Sequence, residues 1–195
     1  MASLAPDSAV ALSAGDPGLV GVVVTTEWAI EPSVGPLPEP VSLAVVCGDN
    51  GRALSPDDLI FFNQPTTASP GIALSPTGAA PSALPARAEA GAEQIEVDFR
   101  RVPHDVGKIA FVTYIDPEVR GAGNFAPVRS LTLTVSRPDG SEIVRFDAPL
   151  DDAEKFQAAL VGELFRDGDG WVFRAVGRGY RNGLAGVGIE FGLDV

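Results

Sequence analysis

Short runs that alternate polar and apolar residues, set between Asp-Gly turns, constrain this chain more than any other feature of its sequence. Gln94-Ile95-Glu96-Val97-Asp98-Phe99 alternates strictly. Residues 130–135 put Leu131, Leu133 and Val135 on one face and Thr132 and Thr134 on the other. A period of two belongs to a strand with one buried face. Residues 19–24 and 108–115 are apolar on both faces, as central strands are. Residues 41–47, 59–62 and 171–176 complete the strand inventory. The connectors Arg137-Pro138-Asp139-Gly140, Asp167-Gly168-Asp169-Gly170 and Gly48-Asp49-Asn50-Gly51 carry the signal of tight turns. Together they predict an all-β fold, an antiparallel β-sandwich. Helical spacing is confined to residues 151–160, where Phe156 and Leu160 stand four apart behind an Asp cap, and to residues 184–191. Gly186 and Gly188 weaken the second helix.

Residues 64–92 break the strand pattern. They are almost wholly Ala, Pro, Ser, Thr and Gly, with Arg87 and Glu89 as their charges and five prolines that oppose regular pairing. Neither flank has enough strands to close a sandwich alone. The reading is a single domain over residues 1–195 with a long mobile loop at 64–92.

Composition excludes whole classes of function. The chain has 195 residues, 14 basic and 26 acidic side chains, and a net charge of -12. Nucleic acid and anionic membranes are met with Lys and Arg, so neither is expected as a partner. One cysteine, Cys47, excludes an internal disulfide and a dithiol redox pair. One histidine, His104, excludes multi-imidazole zinc sites. The opening residues lack a basic n-region and contain Asp7 and Asp16, unlike a signal peptide, and the apolar stretch at 19–24 is too short to span a bilayer. A cytoplasmic protein is expected.

Several separated blocks carry a resemblance. They are Ala9-Val10-Ala11-Leu12-Ser13 with Pro17-Gly18-Leu19 and Glu27-Trp28, then Asp58-Leu59-Ile60-Phe61-Phe62-Asn63. Next come Gln94 to Phe99 with Val102-Pro103, Asp105-Val106 and Lys108-Ile109-Ala110-Phe111. The last block is Gly162-Glu163-Leu164-Phe165-Arg166, then Trp171 to Gly177, Gly179-Tyr180 and Gly183-Leu184. In this order the chain resembles the TerD family of bacterial tellurium-resistance and stress-response proteins. The resemblance implies a β-sandwich, calcium binding, and cooperation with other tellurium-resistance proteins, one of them membrane-associated.

The calcium expectation meets a depleted ligand set. The family's first acidic motif, D-x-D, falls near Glu39-Pro40-Val41, where one acid remains. Its second cluster falls within residues 75–93, where Gly91-Ala92-Glu93 keeps only the glutamate. The surviving equivalents are Glu39, Asn63 and Glu93, against the six to eight oxygens that calcium takes. The expectation is no metal and no cofactor, with one weak residual calcium site at those three residues as the alternative.

The remaining candidates read as structural. Asp167-Gly168-Asp169-Gly170 lacks the downstream glutamate of a calcium loop and is a hairpin. Asp57-Asp58 and Asp151-Asp152 are cap or turn residues, because strand neighbours point to opposite faces. His104 is a loop residue, Cys47 a buried thiol, and Trp28 and Trp171 core residues. No nucleophile, base and oxyanion donor assemble. The expected function is non-enzymatic. It is a binding or scaffold protein that contacts other proteins, either stress-response components or a larger assembly, with a carbohydrate- or small-ligand-binding sandwich as a further alternative.

Overall fold

The computed structural model describes residues 3–31, 38–75, 90–116 and 123–194. In chain order the strands are β1 (Ala9–Ala11), β2 (Gly21–Ile30), β3 (Pro40–Cys47), β4 (Leu59–Ile60), β5 (Ile72–Leu74) and β6 (Ala90–Asp98). They continue with β7 (Lys108–Ile115), β8 (Val128–Ser136), β9 (Glu142–Asp147), β10 (Ala158–Asp167) and β11 (Gly170–Tyr180), and the chain closes with helix α1 (Gly183–Phe191). They form a six-stranded sheet, β1-β11-β10-β7-β3-β4, and a five-stranded sheet, β5-β6-β2-β8-β9, with every pair antiparallel. The sandwich expected from the alternation is the fold found.

One apolar core lies between the sheets. Val22 and Val24 of β2, Ile95 and Val97 of β6, and Leu131, Leu133 and Val135 of β8 face Ala44, Val46, Ile109, Phe111, Leu164 and Phe173 of the other sheet. Fully burying such side chains stabilises by roughly 1.5–3 kcal/mol each. A second core explains why residues 41–47 are apolar on both faces. Val41, Leu43, Val45 and Cys47 point away from the sandwich and join Ala110, Val112, Tyr114 and Leu160 beneath Val187 and Phe191 of α1. The helix thus forms a third layer. Glycine at 186 permits its approach, since a Cβ there would stand 3.2 Å from the Tyr180 ring.

Two expectations are corrected. Residues 151–160 do not form a helix. A single 3-10 turn spans Ala153–Lys155, and β10 begins at Ala158. Asp152 adopts φ 60, which closes the turn, and Phe156 is already extended at φ -130. Residues 158–161 are buried on both sides, so their spacing carries no period. The segment 64–92 is not one long loop either. Thr66 bridges Ala73, residues 72–74 form β5, and residues 90–92 belong to β6. Residues 76–89 lie outside the described residues.

The 184–191 helix is present, one residue longer at its start. Trp171 is buried in the inter-sheet core, and Trp28 packs against that core half-buried. The β10–β11 turn is the expected hairpin, with Gly168 at φ 58.

Candidate functional site

The outer face of the six-stranded sheet carries the features with chemical character. The first is a buried ionic cluster. In β10 the register with both neighbours shifts between Leu160 and Gly162, marking a β-bulge. Without it Glu163 would follow Ala159 and Val161 into the inter-sheet core. The bulge turns it to the outer face instead, opposite Ala110 and Arg174. Glu163 is 3% exposed and accepts from Lys108 Nζ at 3.1 Å and from Arg174 Nε at 3.2 Å, with a second contact from the Arg174 guanidinium. Burial alone would raise its pKa; the Arg174 hydrogen bonds and the Lys108 charge more than offset this and hold it below the ordinary value. Lys108 also stands 5.1 Å from the centroid of the Phe191 ring, linking the cluster to α1.

Around α1 a second ionic contact fixes the helix. Tyr180 donates its hydroxyl to Glu190 at 2.7 Å, and Arg178 donates to both. Burial first, then the Glu190 carboxylate, drives the Tyr180 pKa upward. At its C-terminal end Gly192 takes φ 74 and the Leu193 N–H closes on the Gly188 carbonyl at 2.9 Å.

Between α1 and the β3–β4 edge runs a small apolar groove lined by Leu43, Leu59, Phe61, Leu184, Val187 and Leu193, with Tyr114 at its side. Its volume is about 90 Å³. Phe62, 48% exposed, packs edge-on to Phe61 at 5.7 Å, and Ile189 on α1 is 75% exposed. The groove escaped the sequence reading because its residues come from separate elements. Leu184 and Val187, three apart on a helix, were the available signal.

At the hairpin end a wider cleft of about 730 Å³ is lined in part by Phe99, Arg100, His104, Arg166, Asp169 and Trp171. Phe99 stacks on Trp171 at 5.2 Å, and the Arg166 guanidinium lies 4.5 Å from the Trp171 ring centroid. Arg166 donates to the carbonyls of Val102, Pro103 and Val106, so it holds the loop that carries exposed His104.

The three candidate metal ligands come from three different segments of the chain. Glu93 of β6 reaches across to the opposite sheet, where it accepts the Ser42 backbone N–H at 2.6 Å. Burial raises its pKa, the Ser42 hydrogen bonds oppose this, and the nearby Glu39 charge adds to the rise. Glu39 is exposed just before β3, and Asn63 is exposed in the turn closed by Phe61 and Gln64. Among the described residues no three His, Cys, Asp or Glu side chains gather to hold a metal ion. Among the described residues, two carboxylates and the Asn63 amide oxygen fall short of the six to eight oxygens that calcium takes. Asp58, by contrast, is buried and accepts from Ser55 and Ser69 hydroxyls at 2.8 and 3.2 Å, a turn role. Cys47 is buried, its thiol pushed up to about 12 chiefly by burial.

Sandwich, helical third layer and side-chain-sized groove define a helix-backed antiparallel β-sandwich. The TerD domain family model matches residues 1–191, and the chain belongs to that family. It is 31% identical over 198 residues to general stress protein 16U of Bacillus subtilis (strain 168), covering 99% of this chain and 98% of the relative. It is 29% identical over 193 residues to tellurium resistance protein TerD of Serratia marcescens, covering 98% and 97%. A solved homologue of telluride resistance protein (TerD) from Streptomyces coelicolor A3(2) shares the fold with a TM-score of 0.59 at 20% identity, over 84% of this chain and 91% of that one. No helix among the described residues is long and apolar enough to cross a membrane.

Proposed function

We propose that this TerD-family chain is a non-enzymatic, cytoplasmic stress-response protein that works by binding another protein and carries no functional calcium site. The observation that supports this reading is the apolar groove between α1 and β3–β4, lined by Leu43, Leu59, Phe61, Leu184, Val187 and Leu193. An apolar recess open at the surface is a usual mark of a protein contact. The strongly perturbed ionisable groups on that face hold the structure together: Glu163 with Lys108 and Arg174, and Tyr180 with Glu190 and Arg178. The test is affinity purification of the intact chain from its native host after cross-linking. Stoichiometric recovery of a specific protein supports the reading; recovery of the chain alone, under stressed and unstressed growth, refutes it.

One observation favours a second reading. Glu39 stands near enough to Glu93 for its charge to raise the Glu93 pKa, and a cation between them would relieve that repulsion. Thermal unfolding with calcium and with chelator separates the two. An unchanged midpoint in millimolar calcium removes the weak residual site.

A further inference from the structure

We propose that Asn182 is a site of spontaneous deamidation, and that the isoaspartyl product loosens α1 from the core it covers. Two asparagines, Asn50 and Asn182, are followed by glycine, whereas Asn63 and Asn124 precede Gln64 and Phe125. With no Cβ beside it, a glycine nitrogen reaches the preceding side chain most readily.

The structure separates the two Asn-Gly pairs. Asn50 sits in a closed turn: its Oδ1 accepts the Arg52 N–H at 2.9 Å, and the Gly51 N–H bonds the Gly48 carbonyl at 3.0 Å. Both reacting groups are held. Asn182 is exposed at the N-cap of α1, with φ -93 and ψ 17, and its side chain makes no capping bond. The Gly183 N–H opens the first turn, whose donors have no acceptor inside the helix. Little holds that turn in place. It has no acidic residue, and Gly183, Gly186 and Gly188 weaken a helix of nine residues. Fraying there lets ψ of Asn182 rotate and brings the Gly183 nitrogen to Cγ. The glycine cannot be exchanged without strain. Gly183 stands at φ 56, and a Cβ on it would lie 3.1 Å from Gln157 Oε1.

The reaction needs only water. The Gly183 nitrogen gives its proton to solvent and attacks Asn182 Cγ; the Cγ–Nδ2 bond breaks, and Nδ2 takes up a proton and leaves as ammonia. Water then opens the cyclic imide. Cleavage at Cγ gives aspartate, and cleavage at the backbone carbonyl of residue 182 gives isoaspartate, whose main chain runs through Cβ and Cγ.

The two products differ in effect. Aspartate puts a carboxylate at the start of α1, where the helix dipole favours it. Isoaspartate lengthens the main chain between β11 and α1. The helix is anchored twice: Val187 and Phe191 share the second core with Val41, Leu43, Val45 and Cys47, and Glu190 accepts from Tyr180 at the end of β11. The added backbone atom shifts α1 against both anchors and opens the way to Cys47.

The test ages the intact chain at neutral pH, maps its peptides by mass spectrometry and reads isoaspartate by enzymatic methylation. In the folded chain Asn182 should convert at least about fivefold faster than Asn50, and in urea the two rates should converge. Aged chain should also expose Cys47 to iodoacetamide in proportion to its isoaspartate at position 182. Asn182→Asp, which carries the charge without the extra backbone atom, should keep Cys47 protected, as should Asn182→Gln after the same ageing. Equal or faster conversion of Asn50 in the folded chain overturns the site. A difference that persists in urea comes from neighbouring residues and overturns it too. Cys47 still protected in the isoaspartyl chain overturns the loosening of α1.

Discussion

The carboxylate of Glu93, on the five-stranded sheet, accepts the backbone N–H of Ser42, on the six-stranded sheet, at 2.6 Å. β4 pairs only with Ala44 and Val45, so Ser42 lies beyond its end and would otherwise present an open N–H. A side chain from one sheet thus completes the edge of the other. A residue that a metal-centred reading assigns as a ligand acts here as a clamp.

Replacing Glu93 by alanine leaves that N–H without its acceptor, at a cost of roughly 1–3 kcal/mol. Glu93→Gln keeps an oxygen acceptor and should lose much less. Urea denaturation of the two variants checks the difference, and equal losses would remove the clamp.

Glu163→Ala strands the Lys108 and Arg174 charges. Breaking a buried pair typically costs about 3–5 kcal/mol; with Arg174 45% exposed, the low end is expected. Chemical denaturation measures it, and a loss below that of a typical surface substitution would show the cluster to be dispensable.

The two glutamates give opposite pH signatures. Glu163 has a folded pKa below its unfolded value near 4.5, so its contribution is present above that value and lost as pH falls through the folded one. Glu93 is raised, so its contribution is complete below about 4.5 and fades as pH rises through its folded value. Stability curves of wild type minus Glu163→Gln and wild type minus Glu93→Gln should therefore slope in opposite directions. Parallel slopes would contradict both environments.

Arg166→Ala removes three hydrogen bonds to the carbonyls of Val102, Pro103 and Val106, along with the contact to Trp171. A loss of at least about 2 kcal/mol is expected, since bonds to a charged donor contribute more than neutral ones. Hydrogen exchange should quicken at residues 105–107 and leave β3 and β7 protected. Uniform quickening would assign Arg166 to global stability instead.

Cys47, with its thiol near pKa 12 and no exposure, should resist iodoacetamide at neutral pH in the folded chain and react once denaturant is added. Mass spectrometry of intact protein decides it; modification of the folded chain would expose an opening of the helix-covered core.

Where one face of a strand meets the core and the other meets solvent, the sequence was readable, as in residues 94–99 and 130–135. Residues 108–115, apolar on both faces, were readable as a strand too, but legibility failed at the start of β10. Residues 158–161 offered no period, and the four-residue spacing of Phe156 and Leu160 imitated a helix across a turn and a strand. The bulge after Leu160 is equally silent in sequence, yet it decides which face Glu163 occupies. Proline content made residues 64–75 read as loop, although β5 needs only three residues beside β6. The site was less legible than the fold. Glu39, Asn63 and Glu93 were found by resemblance, whereas the groove depends on α1 folding back over β3, a contact no local pattern encodes.

The borders of both sheets bear on how the protein survives crowding. β1 and β5 have three residues each and β4 has two. The longer border, β9, is occupied by the N-terminal segment: the Leu4 N–H bonds the Arg145 carbonyl at 2.9 Å, and Ser3 Oγ accepts the Asp147 N–H at 3.1 Å. A stray extended chain, such as damaged proteins supply in quantity, finds few consecutive backbone groups to template upon. A protein with such borders can accumulate among aggregating neighbours without being recruited into their deposits.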